Sequence, residues 1–190
     1  MPKSLRIWSK AKSFRKPCAG AFTLTSKIID GKTGRLFGAA FALPPYYLEK
    51  PYWMELDKAG TLVGRAFQII DDVLDYFPGT GKDRFKDLLN GKATLPLILY
   101  TERYGSSLVE RILKNPSEEN LLELFERIVS AGVFEESLKI AREYVKEALK
   151  LIEDLPFDGS DVVRLVSGYF ENVFERVNVP GGLAYHVSQK

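Results

Sequence analysis

The chain has 190 residues, with 27 Lys and Arg against 25 Asp and Glu; a formal net charge of +2 favours neither a nucleic-acid nor an acidic-surface partner. Hydrophobic residues make up 45% and charged residues 27%, which fits one folded domain with a real core and not disorder. Cys18 is the one cysteine, which excludes an internal disulfide and fits a reducing cytoplasm, and the one histidine, His186, sits in a polar tail where His-based catalysis or a zinc site is not expected. In chain order, Met1–Gly20 carries Lys3, Arg6, Lys10, Lys12, Arg15 and Lys16 without an acid or a continuous apolar run, and reads as a basic N-terminal arm. Residues 21–190 read as helix after helix. Phe22–Leu43 predicts the first, ending before Pro44-Pro45; Gly31, Gly34 and Gly38 lower its propensity but allow close packing or ligand approach. The apolar run Leu36 to Leu43 is far short of a membrane span, so no integral membrane segment is expected. Trp53–Tyr76 is the second helix, stopped by Pro78-Gly79. Thr94 is expected to cap a helix that runs to about Tyr104, with Pro96 tolerated in its first turn. Asn115-Pro116-Ser117 opens another, to about Ser130. Phe134–Glu153 places Phe134, Leu138, Ala141, Val145, Ala148 and Ile152 at core spacing, and Ser160 is expected to cap a last helix to about Val177. With no alternating β-branched run and no internal repeat, the fold class is all-α.

The second of these helices carries the chemistry. At about 100° per residue, Gln68, Asp71, Asp72 and Asp75 fall within an arc of roughly 100°, while Ala66, Phe67, Ile69, Ile70, Val73 and Leu74 lie opposite. No Lys or Arg stands three or four residues from any of the three carboxylates to offset their repulsion. Mg²⁺ takes carboxylate oxygens, keeps several waters and commonly bridges one or two carboxylates to a phosphate. An isolated Asp-Asp-x-x-Asp can equally be the solvent face of an amphipathic helix. The next segment of the chain shifts the balance. Past a Pro78-Gly79-Thr80-Gly81 turn, Lys82, Arg84, Lys86 and Lys92 lie in a Gly-punctuated loop, a cationic set suited to the remaining oxygens of a metal-bound diphosphate.

Gly64-x-x-Phe67-Gln68-x-x-Asp71-Asp72-x-x-Asp75, then Gly81-Lys82, then Asp87-Leu88-x-x-Gly91-Lys92-x-Thr94-Leu95-Pro96 resembles the second aspartate-rich region of trans-isoprenyl (polyprenyl) diphosphate synthases. Upstream, Lys32-Thr33-Gly34-Arg35-Leu36-Phe37 resembles the helix that precedes it in that family. The match is close from about Ile28 to Tyr100 and loose over the helical remainder. The resemblance implies a partial isoprenoid-synthase-type helical bundle, with residues 21–190 a truncated polyprenyl-synthase-like domain. It also implies that Asp71, Asp72 and Asp75 hold Mg²⁺, and that Lys32, Thr33, Gln68, Lys82 and Lys92 contact an allylic diphosphate or pyrophosphate. Each lysine also has a plainer reading as a solvated side chain, and Lys32 and Thr33 as helix surface. Asp83 and Asp87 are read as structural, Asp87 capping or tethering the loop.

The chain also departs from the family pattern. Asp71-Asp72 is its one Asp-Asp pair, there is no Gly-Gly-Lys-Arg near the start, and Lys-Thr-Gly arrives by residue 32. The first aspartate-rich wall, the isopentenyl diphosphate site and the chain-length determinants are therefore expected to be missing. Three functions stay open: a prenyltransferase subunit completed by a chain that supplies the first aspartate-rich motif, a non-catalytic subunit that modulates a full-length synthase, and an inactive truncated homologue. With half the bundle absent, the face bearing Leu24, Ile28, Leu36, Ala39 and Ala40 is expected to stay partly uncovered, giving a homo-oligomer or a heteromer.

Overall fold

The computed structural model describes residues 33–77 and 84–177. The basic arm, Lys32, the Pro78-Gly79-Thr80-Gly81 turn, Lys82 and the tail with His186 lie outside the described residues. Within them the chain forms eight helices and no strand: α1 (Arg35–Tyr47), α2 (Trp53–Leu74), α3 (Lys86–Leu89), α4 (Leu95–Tyr104), α5 (Ser107–Lys114), α6 (Glu118–Ser130), α7 (Val133–Glu153) and α8 (Ser160–Val177). The aspartate helix α2 is the axis of the fold. It packs against α1, α4 and α7, and α7 in turn carries α8 and touches α6.

Ala59, Ala66, Ile69 and Val73 turn the apolar face of α2 into the core, where Leu95 and Leu97 of α4, Ile112, Leu124, Ile128, Phe134 and Ile152 meet it. Beneath the α2–α3 turn lies an aromatic cluster. Tyr76 meets Phe134 at 5.2 Å between centroids and Phe85 at 6.0 Å, and Phe77 meets Phe125 at 5.5 Å, all edge to face.

Small residues bring α1 and α2 together. A Cβ at Gly60 would stand 2.5 Å from the Phe37 carbonyl oxygen, one at Gly64 2.8 Å from that of Thr33, and one at Gly38 2.7 Å from Thr61 Oγ1. At Gly60 and Gly64 the obstacle is backbone, which cannot swing aside. Gly60→Ala therefore forces the helices apart, an overpacking cost of about 1–3 kcal/mol. In a chain of this size that lowers Tm by roughly 3–10 °C. Gly168 on α8 has nothing within 4 Å of its Cβ position. There Gly168→Ala should hold or raise Tm, because alanine favours helix without a clash. Thermal circular dichroism of the two variants is the check.

Several boundaries differ from the sequence expectation. Helix α1 does not stop before the prolines but runs through Pro44 and Pro45 to Tyr47. Each proline removes one amide donor to the preceding turn. The disruption is confined to the last turn, Pro45 is buried, and the proline carbonyls accept the closing bonds from Leu48 N–H (3.1 Å) and Lys50 N–H (2.8 Å). Helix α5 carries no signal in the sequence. It has only two turns, too few for a period to stand out, yet Val109 and Ile112 are fully buried. Thr94 sits at the N-cap of α4 without capping it through its side chain. At α8 it is Asp158, two residues before the helix, whose carboxylate accepts the Ser160 N–H at 3.1 Å. Ser117 caps α6 as expected, accepting from Asn120 N–H at 3.2 Å.

Among the described residues, nothing covers the outer side of α1. Leu36 is 68% exposed, Leu43 61% and Tyr47 86%, and Ala39 and Ala40 are exposed between them. Leu24 and Ile28 fall outside the described residues. None of the helices is long and apolar enough to cross a membrane, among the described residues.

Candidate diphosphate and metal site

The carboxylates of α2 do not form a solvated stripe. Asp72 is 6% exposed and Asp75 3%, whereas Asp71 is partly open to solvent. The reason is that both ends of the helix's polar face are covered, by the start of α1 and by the loop after α2. Thr33 Oγ1 donates to Gln68 Oε1 at 2.7 Å, and Gln68 Nε2 donates to Asp72 Oδ1 at 3.0 Å. Asp72 Oδ2 then accepts the Leu95 N–H at 3.1 Å. Asp72 thus does the capping expected of Thr94, meeting the positive end of α4 with its carboxylate. The Thr94 hydroxyl is engaged elsewhere, at 2.8 Å from the buried Tyr76 hydroxyl.

Burial dominates the electrostatics of Asp72. Desolvation pushes its carboxyl up to about 7, against the pull of its bonds from Gln68 and Leu95, and the charges of Asp87 and Asp71 push the same way. Burial likewise raises the Tyr76 phenol well above its ordinary value.

Asp75 organises the loop. Its backbone carbonyl accepts Phe85 N–H at 2.9 Å and its Oδ2 accepts Asp87 N–H at 3.0 Å. The Asp87 carboxylate pairs with the Lys92 ammonium, and the Asp87 carbonyl accepts Lys92 N–H at 2.9 Å. The bond to Asp87 holds the Lys92 ammonium above its ordinary range. Asp87 is the tether that the sequence suggested. Lys92 itself remains half in solvent, at 53% side-chain exposure.

Three further residues join the site without a signal in the sequence, and a fourth, Arg84, joins it by bonding the backbone instead of standing as one more cation of the loop. Phe85 stands in the left-handed region, φ 61°, where a bulky residue costs on the order of 1–3 kcal/mol. Its ring is buried, which holds it there. Arg84 Nε donates to the Tyr76 carbonyl at 2.8 Å. The buried Tyr76 hydroxyl secures Thr94 at the foot of α4. Tyr169, from α8, stacks on Phe67 at 6.3 Å; burial and then the Asp71 charge raise its phenol above the ordinary value. Arg84 lies within the basic loop, where in sequence it is one cation among four. Tyr169 is nearly a hundred residues from α2, and only the packing of α8 brings it there.

Among the described residues, no group of three or more carboxylate, imidazole or thiol side chains is placed to hold a metal ion by itself. Asp71, Asp72 and Asp75 share a helix face, but two of the three are turned inward as structural acceptors. A Mg²⁺ ion does not require such a cage, since one or two carboxylates, waters and phosphate oxygens suffice. The donor set therefore fits magnesium in that mode, with Asp71 the most exposed carboxylate of the three.

Residues 11–129 match the model of the polyprenyl synthetase family. This chain belongs to that family. Among relatives within it, an all-trans-nonaprenyl-diphosphate synthase of Rhodobacter capsulatus is 35% identical over 137 residues, which cover 68% of this chain and 42% of the relative. A heptaprenyl diphosphate synthase component 2 of Geobacillus stearothermophilus is 30% identical over 130 residues, or 65% and 38% of the two chains. The fold is similar to a crystal structure of geranylgeranyl pyrophosphate synthase from Corynebacterium glutamicum, complexed with calcium and isoprenyl diphosphate. The TM-score is 0.66 at 26% identity, over 80% of this chain and 49% of that one. The chain thus spans less than half the length of these family members.

Proposed function

We propose that the chain supplies one wall of a polyprenyl diphosphate synthase, binding magnesium and a diphosphate for the head-to-tail condensation of isopentenyl diphosphate with an allylic diphosphate. The observation that carries this reading is the division of labour among the three aspartates. Gln68, which holds Asp72, ties α2 to the segment before α1, Asp72 ties it to α4, Asp75 ties it to the cationic loop, and Asp71 stands at a partly open surface. A purely solvated helix face would not be wired on both sides to the segments that carry Thr33 and Lys92.

In this reading Asp71 supplies the carboxylate oxygen for Mg²⁺, and the buried Asp72 and Asp75 fix the geometry around it. Lys92, with Lys32 and Lys82, donates to diphosphate oxygens; Thr33 and Gln68 line the approach and hold Asp72 in place. Bound magnesium would stabilise charge on the departing diphosphate, and fixed cations in a water-poor cleft add to that stabilisation. The second wall comes from another chain that carries the first aspartate-rich motif. A relative named as one component of a synthase supports assembly from more than one chain.

Calorimetry tests the site directly. The chain should bind Mg²⁺ weakly alone and more tightly with pyrophosphate, because the diphosphate completes the metal's coordination and its remaining charge is met by the lysines. Pyrophosphate binding that is absent, or indifferent to Mg²⁺, would overturn the reading.

A further inference from the structure

The turn after α2 is held by a device that neither the metal nor the diphosphate needs to touch. Arg84 lies in the corner made by two rings from different elements that meet edge to face at 6.4 Å, 4.5 Å from the centroid of Phe85 in the turn and 4.4 Å from that of Phe125 in α6. From that corner its Nε donates to the Tyr76 carbonyl at 2.8 Å, just past the end of the aspartate helix. Phe85 keeps its left-handed backbone beside these contacts, and its N–H donates to the Asp75 carbonyl at 2.9 Å. From there the chain of contacts runs on. Asp75 Oδ2 accepts Asp87 N–H, and Asp87 holds Lys92 through both its carboxylate and its carbonyl.

We propose that Arg84, seated against Phe85 and Phe125, is a positioning residue that sets where Lys92 stands relative to the Asp71 carboxylate. The proposal rests on the diphosphate reading of the site. An apolar side chain would fill the corner beside the rings but could not bond the Tyr76 carbonyl. A lysine carries the charge but is a strongly hydrated point charge, with no flat face to lie against a ring while an in-plane N–H points to a carbonyl. Guanidinium geometry meets both demands. The backbone strain at Phe85 points the same way, since such a conformation persists where its surroundings over-determine it.

The test compares wild type, Arg84→Met and Arg84→Lys by amide hydrogen exchange and by calorimetry with Mg²⁺ and pyrophosphate, at a temperature where circular dichroism shows all three folded. Arg84→Met preserves the packing volume, so the fold should survive. Exchange of the Asp87 and Lys92 amides should quicken by at least about tenfold in both variants as the turn opens locally. Pyrophosphate affinity should fall about tenfold, as for other residues that orient a ligand-bearing group, with no rescue by lysine. Faster exchange with wild-type affinity would make Arg84 a merely structural staple and overturn the proposal, as would wild-type exchange in both variants. Failure of the wild-type chain to bind pyrophosphate would overturn the site reading alone. In that event the exchange rates still decide whether Arg84 holds the turn.

Discussion

Asp71→Asn should weaken binding of pyrophosphate in the presence of Mg²⁺ by at least about thirtyfold, while leaving the melting temperature where it is or slightly higher. Removing one charged partner of a desolvated ion contact costs roughly 2 kcal/mol or more, which is that factor in affinity. The expectation for stability has the opposite sign, because Asp71 faces like charges. Its carboxylate helps push the Asp72 carboxyl upward, so neutralising it relieves repulsion in the apo chain. Asp71 is the residue to change because its neighbours would give a mixed answer. Asp75→Ala would strip the acceptor from the Asp87 amide and loosen the loop; Asp72→Ala would leave the Leu95 amide at the foot of α4 without its carboxylate. Calorimetry and thermal melting on the same samples separate the two effects. Unchanged affinity in Asp71→Asn would remove the metal-site reading, and a large fall in Tm would show that Asp71 too is a structural acceptor.

How far the sequence reaches depends on whether a signal is local. Helices α2, α4, α6, α7 and α8 were legible within a residue or two because each is ten residues or longer and carries its apolar spacing between Gly, Pro or Ser punctuation. Helix α5 is long enough to bury Val109 and Ile112 but too short to show a period. Pro44-Pro45 reads as a stop because sequence shows the lost amides and not the burial of Pro45 that offsets them. At the site, the spacing of Gln68, Asp71, Asp72 and Asp75 predicts a shared face; in the structure Gln68 and Asp72 bond each other on it while Asp75 bonds the loop. Which of the four points inward was not legible. That is decided by partners twelve, twenty-three and thirty-five residues away, at Asp87, Leu95 and Thr33. A cap from a distant helix looks, in one dimension, like a local cap by Thr94. The seat of Arg84 is hidden for the same reason, since Phe125 joins it only through the packing of α6.

The purified chain alone is not expected to join isopentenyl diphosphate to an allylic diphosphate at a measurable rate. Condensation requires two substrates in register, and correct placement of reacting groups alone is worth rate factors on the order of 10⁵ or more. Stabilisation of a departing diphosphate must also be stronger in the transition state than in the ground state, which calls for cations on both sides of the cleft. The described residues offer one aspartate-bearing helix and one cationic loop. The side of α1 with Leu36, Ala39, Ala40, Leu43 and Tyr47 is exposed and apolar. Apolar surface of that kind favours association, so light scattering at micromolar concentration should find an oligomer, most simply a two-fold dimer. A product assay run beside it gives each outcome a meaning. Elongation by a monomer would show that the chain holds a complete site and would end the split-enzyme reading. Elongation by an oligomer would mean that a second copy supplies the missing wall; the paired substitution Leu36→Glu with Leu43→Glu, on the outer side of α1 away from the aspartates, should then abolish association and activity together. Inactivity of the oligomer, relieved when a chain bearing the first aspartate-rich motif is added, is the result expected if the α1 face belongs to a partner.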